Sequence, residues 1–277
     1  VFTVSQVSSA YDPARYFAEQ ALLPYRQCVL AVSVLSDLDV IPADTGVQLP
    51  GPNGVLIDWA TIREACGPYP PDGPIARSRV EVLLKLHRLA TELGQEARQR
   101  FESASRLIAL PYSHTEHPGP GWVIESLRGG ALDLGIGVHG LIEDADRAVP
   151  VPPSVLHAVG VVAEDWWPRL REHANRMGAL SASRLARDGS TGLIRPVGGC
   201  DVLALLSSPA LRRHLATSDG TGMRALAVPT RQRGWFDISR IDPVFVQAAW
   251  SLTDEADRGV PVPLLVTEDD VVLPAIP

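Results

Sequence analysis

The chain has 277 residues, 45% hydrophobic and 21% charged, the balance of an ordinary globular protein able to bury roughly three quarters of its unfolded surface. Its net charge of −7 offers no bulk attraction to nucleic acid or anionic lipid, and no basic run supplies one locally. No apolar run approaches the roughly 18 residues that a membrane span needs.

From the N-terminus, Asp12, Arg15, Glu19 and Arg26 are scattered among apolar residues, which is not the pattern of a secretory signal. The three cysteines, Cys28, Cys66 and Cys200, are far apart, odd in number and without a CxxC neighbour. That argues against a disulfide framework and for a reducing compartment, here the cytoplasm. Lys85 is the only lysine, so nearly all positive charge is arginine, the usage of a high-GC bacterial genome.

Residues 4–9 read as a loop. Asp12 and Pro13 then cap and open a helix over Ala14–Leu23, which Pro24 bends or ends. The valine-rich run Cys28–Leu35 is ambiguous between a buried strand and further helix, with the strand preferred. The proline- and glycine-dense stretches 41–53 and 67–73 are read as connection, flanking a short helix, Asp58–Cys66, with Gly67 just past its end. The clearest helix runs from about Ala76 to Ser105, carrying an apolar stripe through Val80, Leu83, Leu84, Leu86, Leu89 and Leu93, with His87 on its surface. A strand over Arg106–Leu110 ends at Pro111. A second long helix covers Pro153 to about Arg187, kinked or split by Pro168. Ser208-Pro209 and Asp242-Pro243 open two more helices, and Arg224–Val228 and Pro263–Thr267 read as strands. The cluster Arg212, Arg213, His214 is assigned to the polar face or C-terminal end of a short helix.

Three blocks recur in order: RLIALP (106–111) with RALAVP (224–229), Gly121-Trp122 with Gly234-Trp235, and EDADRAVPVP (143–152) with DEADRGVPVP (254–263), at offsets of 118, 113 and 111. A repeat of this kind predicts two α/β units packed about a pseudo-two-fold axis. Trp122 and Trp235 would be buried anchors, and Asp146-Arg147 and Asp257-Arg258 would hold the turns before the proline-rich segments. The expected architecture is therefore α/β or α+β, internally duplicated: an N-terminal helical extension (1–75) packed on the core, a first unit (76–190) and a second (191–277).

Several stretches carry candidate chemistry. Gly135, Gly137 and Gly140 form a GxGxxG string, but Pro150 closes off the long helix that a dinucleotide loop requires, so close packing of small residues is the expected reason for them. Asp188–Gly192 and Asp219–Gly222 have the composition of phosphate-cradling loops and equally of tight turns, the reading preferred here. Cys200 precedes a predicted helix start, where a thiol is acidified, but no base can be paired with it, and a buried structural cysteine is expected. The loop Ser113-His114-Thr115-Glu116-His117 is the most unusual for its residue types. Two imidazoles beside a carboxylate suit a divalent metal or acid–base work near neutral pH, although the preferred reading of the stretch is a solvated surface loop.

Two functions follow. The first is a non-catalytic intracellular binding or scaffold protein, with a small-molecule or protein partner. The alternative is a metal-assisted hydrolase in which His114, Glu116 and His117 are catalytic and His114, His117 and His139 hold the metal, with Asp133 as a further group that folding could bring near. No cofactor is specified by the sequence, and the oligomeric state is open.

Overall fold

A computed structural model describes residues 13–51, 54–127, 129–142, 147–188, 192–218 and 220–273, with the side chains of residues 13–18, of Asp188 and of Ile238 left out. The expected loop at 4–9, the Asp12 cap, most of the acidic turn at 143–146 and parts of the two Asp-Gly turns lie outside these residues. The fold mixes helix and sheet, as expected, and the chain divides into two compact units, residues 1–81 and 82–277. No helix among the described residues is long and apolar enough to cross a membrane.

The first unit opens on α1 (Pro13–Leu35), which runs through Pro24 without ending. The expected strand at 28–35 is instead its last two turns. Cys28, Val29 and Val32 are buried while Leu30, Val34 and Leu35 are exposed, a helical period of three to four and not the alternation of a strand. The 41–53 stretch also departs from expectation. It contributes β1 (Ile41–Pro42) and β2 (Gly46–Leu49), paired antiparallel with each other, and β2 pairs in turn with β3 (Val55–Asp58). Asp58 then caps α2 (Trp59–Cys66) by accepting from the Thr61 amide, and Gly67 ends it, as the sequence indicates. Trp59 is fixed by its Nε1–H, which donates to the Ala43 carbonyl at 3.1 Å, and by the Arg26 guanidinium 5.7 Å from its ring centroid.

The long helix predicted from Ala76 is two, α3 (Pro74–Leu93) and α4 (Ala97–Ala104), joined by a 3-10 turn at Gly94–Glu96. His87 is not on the surface. It is buried, and its Nε2 lies 3.2 Å from the Ser154 hydroxyl.

In the second unit, β4 (Ser105–Leu110) pairs antiparallel with β6 (Asp133–His139), which also pairs with β5 (Glu125–Ser126) and β7 (Ala148–Pro150). Every residue of β4 except Arg106 is buried, as for a strand covered on both faces. The second long helix is α5 (Pro153–Ala158) followed by α6 (Ala163–Asp188). The break falls at Gly160, with φ +69, which a glycine adopts without strain. Pro168 sits inside α6 and does not split it.

A five-stranded antiparallel sheet follows, in the order β12-β11-β9-β10-β8. Its strands are β8 (Leu193–Ile194), β9 (Met223–Thr230), β10 (Arg233–Trp235), β11 (Leu264–Thr267) and β12 (Val271–Val272). Between them come α7 (Val202–Leu205), α8 (Pro209–Thr217) and α9 (Pro243–Leu252). Asp242 caps α9 by accepting from Val244 and Phe245.

Arg212 lies on α8 but not on a polar face. It is buried and donates to the carbonyls of Leu206 and Ser207 at 2.9 and 2.8 Å, satisfying the end of α7, while Arg213 stays exposed. These carbonyls have no partner within so short a helix, so a buried guanidinium fits there.

The glycines of the GxGxxG string serve packing. A Cβ on Gly135 would come within 2.2 Å of the Trp122 ring, and one on Gly137 within 1.8 Å of Ile108. Trp122 lies flat across the strand beside Ile108 and Leu110, with its Nε1–H donating to the Ile136 carbonyl at 2.7 Å. Trp235 occupies its own cluster with Ala227 and Val246. Both are buried, as the repeat indicated, but Trp122 ends a 3-10 turn (Pro120–Trp122) whereas Trp235 is the last residue of β10. Beyond them the paths differ. The small-residue segment of the first block is strand β6, whereas its counterpart in the second, Val246–Trp250, lies in helix α9.

Truncating Trp122 or Trp235 to alanine is expected to cost about 3–5 kcal/mol, and Gly135→Ala about 1–3 kcal/mol by overpacking. Chemical-denaturation midpoints of the three variants check both figures, and an unchanged midpoint for Gly135→Ala would contradict the close approach of Trp122.

Candidate functional site

The residues singled out by the sequence lie on the loop that leaves β4 at Pro111. Two tight turns shape it: the His114 amide donates to the Pro111 carbonyl and the His117 amide to the His114 carbonyl, at 2.9 and 3.0 Å. These turns drive both imidazoles inward, so that His114 and His117 are buried, contrary to the expectation for a solvated loop.

His117 is engaged at both ring nitrogens. Its Nδ1 accepts from the Gly119 amide at 3.1 Å, which leaves the proton on Nε2, 3.0 Å from Asp133 Oδ2. Asp133 Oδ1 accepts from the Ser126 hydroxyl at 2.5 Å. The ring stands edge-on to Trp122 at a centroid distance of 5.4 Å. Asp133 is therefore the third group that folding supplies, but it orders the loop through a closed hydrogen-bond chain. In a Ser-His-Asp relay the imidazole lies between hydroxyl and carboxylate, whereas here the carboxylate lies between the other two.

Glu116 points away from both imidazoles. Its carboxylate is gripped by both terminal nitrogens of Arg147, each at 2.5 Å, a bidentate geometry that fixes it firmly. His139, at the end of β6, is exposed. Among the described residues, no group of three His, Cys, Asp or Glu side chains is placed to hold a metal, so His114, His117 and His139 are not brought together as a ligand set.

His114 differs from the rest. Its Nδ1 accepts from the Glu116 amide at 3.1 Å, while its buried Nε2 has only a weak interaction with the Arg258 backbone. Burial, aided by the positive charges of Arg231 and Arg147, pushes its pKa down to about 3, with the Arg258 backbone acting weakly the other way. A permanently neutral imidazole results. His114 lines a pocket of about 360 Å3, mouth included, whose other walls are Pro111, Ser113 and Thr115 on the loop and Trp250, Glu255, Arg258, Gly259 and Pro261 opposite. Trp250 is held by its Nε1–H to the Gly259 carbonyl at 3.3 Å, and Arg258 stacks on it, 4.4 Å from the ring centroid.

Beneath this pocket lies the buried side chain of Arg231. One terminal nitrogen donates to the Ala109 carbonyl of β4 at 3.1 Å and the other meets Asp201 Oδ2. Asp201 Oδ1 accepts the Ala204 amide and so caps α7. Sequence reasoning assigned no role to Arg231, Asp201 or Trp250: the side-chain partners of Arg231 are remote along the chain, whereas Asp201, three residues ahead of Ala204, carries a local N-cap signal that could have found it. Arg258 and Arg147 were flagged only by the repeated turn, where Arg258 does donate to the Thr253 carbonyl at 3.1 Å. Cys200 is buried and its thiol is pushed up to about 12 by burial and by neighbouring Asp201, so it is an inert structural cysteine.

No protein-family model matches the chain, and no curated protein or solved structure is significantly similar to it.

Removing the carboxylate with Asp201→Ala is expected to cost about 3–5 kcal/mol, because it strands a buried guanidinium; urea titration against the parent chain reads the loss directly. A second expectation concerns acid. Burial lowers His87 to about 4 and His114 to about 3, from 6.5 in the unfolded chain. Above pH 6.5 both states are neutral and neither histidine affects stability. Below it the unfolded chain takes up protons that the folded chain refuses, so stability falls with pH, continuing to about 4 for His87 and about 3 for His114. Between pH 6 and 5 each contributes about 1 kcal/mol of loss. Unfolding free energies measured across that interval should flatten stepwise in His87→Gln and His114→Gln.

Proposed function

We propose that the chain is a non-catalytic binding protein of the cytoplasm, whose interaction surface is the exposed face of α9 together with the pocket that α9 shares with the 111–115 loop. One observation carries this reading. Val244, Ala248 and Leu252 recur at i, i+4 and i+8 on α9, and Phe245 lies beside them. Val244 is 78% and Leu252 88% exposed, and Val246 is the buried residue of the helix. A surface helix normally turns such a stripe toward a core. An apolar stripe left in water marks a place where something docks, and the pocket at Trp250, about 200° round the helix from Leu252 at 3.6 residues per turn, is a second such place.

The pocket suits one compact apolar or aromatic group, either a small molecule or a side chain of a protein partner. Trp250, Pro111 and Pro261 supply its apolar walls, while Ser113, Thr115, Glu255 and Arg258 are the polar groups that would orient the occupant. The engagement of Glu116 by Arg147 and of His117 by Asp133 favours binding over the metal-assisted hydrolase, whose base and ligands those residues would have to be. We read the two strand-plus-tryptophan units as products of an internal duplication about a pseudo-two-fold axis. The matched sequence blocks and the paired burial of Trp122 and Trp235 support this, with divergence where β6 gave way to α9.

Elemental analysis and non-denaturing mass spectrometry of the purified chain, followed by a thermal-shift screen of small aromatic and apolar ligands, test the proposal. The expected result is no stoichiometric metal and a ligand whose stabilisation disappears in Trp250→Ala and weakens at least tenfold in Leu252→Glu, a surface change that leaves stability within about 0.5 kcal/mol. Stoichiometric metal lost from a His114→Ala/His117→Ala variant, with a hydrolytic activity lost alongside it, would replace this reading by the hydrolase.

A further inference from the structure

The cysteines were read from their spacing as unpaired, yet the fold of the first unit brings two of them together. Cys28 faces out of the middle of α1 and Cys66 is the last residue of α2. Each is 1% exposed, and their thiols hydrogen-bond to one another. Both are free thiols in this structure. Helices α1 and α2 pack together here, which holds the two thiols against one another. Cys200 belongs to the other unit.

We infer that Cys28 and Cys66 form a reversible disulfide that clamps α1 to α2, made by exchange with a low-molecular-weight disulfide such as oxidised glutathione. The surroundings assign different roles to the two sulfurs. Cys66 donates its S–H toward Cys28, which together with the nearby Arg77 lowers the Cys28 pKa, while that of Cys66 is raised by its hydrogen bond to Cys28 and by burial. Cys28 is therefore the attacking thiolate. It attacks one sulfur of the small disulfide, and one glutathione leaves as thiolate and takes up the proton that Cys28 released. Cys66 then attacks the Cys28 sulfur of the mixed disulfide, gives up its proton and expels the second glutathione. Two electrons and two protons pass to the small disulfide, which becomes two thiols, and the Cys28–Cys66 bond forms. Because both sulfurs are buried, exchange proceeds through local opening of α1 from α2. The closed loop restricts the unfolded chain and so stabilises the oxidised form.

The test uses the full chain, incubated without denaturant in buffers of graded oxidised-to-reduced glutathione ratio, quenched in acid, then unfolded and alkylated with N-ethylmaleimide. The expected result is a transition from three alkyl groups per chain to one, located on Cys200. Peptide mapping should find Cys28 joined to Cys66, dithiothreitol should reverse the change, and the oxidised form should melt several degrees higher than the reduced. Cys28→Ser and Cys66→Ser should each carry two alkyl groups or a glutathione adduct and lack the melting shift. Mapping of the parent chain decides the matter even if a variant fails to fold. Three alkyl groups at every ratio, a bond to Cys200, a stable glutathione adduct as the end product, or a Cys28–Cys66 bond appearing only after unfolding would each overturn the inference.

Discussion

The second unit depends on one buried cation. Arg231 sits in the tight turn between β9 and β10, and its side chain reaches the Ala109 carbonyl on β4 and the carboxylate of Asp201 ahead of α7. Its own backbone completes the junction: the amide donates to the Asp257 carbonyl at 2.8 Å and the carbonyl accepts from Val202 at 2.9 Å. The two sheets of this unit, the start of α7 and the turn before the proline-rich segment thus meet on a single residue. A guanidinium is the only side chain with donors arranged to serve a carbonyl and a carboxylate at once without losing its charge on burial.

That junction also sets the character of the pocket above it. Burial first, and then the fixed positive charges of Arg231 and Arg147, keep the His114 imidazole neutral. The loop's other polar groups close on themselves, His117 through Asp133 to Ser126 and Glu116 through Arg147. A catalytic cluster keeps at least one base, acid or ligand aimed at substrate, and its pKa values lie near the working pH. Here burial drives His114 well below that range.

The helix caps, the two strands that open the repeated blocks and the burial of both tryptophans were legible because each rests on short-range chemistry. Asp58 and Asp242 cap helices through their own side chains two or three residues on, and Pro209 and Pro243 occupy first-turn positions where a missing N–H costs nothing. The misread elements are those where local preference competed with packing. Valine-rich Cys28–Leu35 favours strand by residue type, but one buried face at helical spacing made it helix. His87 and Arg212 are polar residues that a surface assignment suits, and both are buried against partners far along the chain, Ser154 for the one and the end of α7 for the other.

The sequence by itself determined composition class, the starts of α2, α5, α8 and α9 and the strand at 106–110, since these follow from a residue and its near neighbours. It also singled out the His114 loop by its residue types. Only the tertiary structure decided where that loop's side chains go. Whether an imidazole points to solvent, to Asp133 or into a pocket beside Trp250 depends on contacts between residues 16 to more than 100 positions apart. The same holds for Cys28 and Cys66. Spacing along the chain made them strangers, and the packing of α1 on α2 made them neighbours, because distance in a folded chain is set by which faces are buried together and not by the number of residues between.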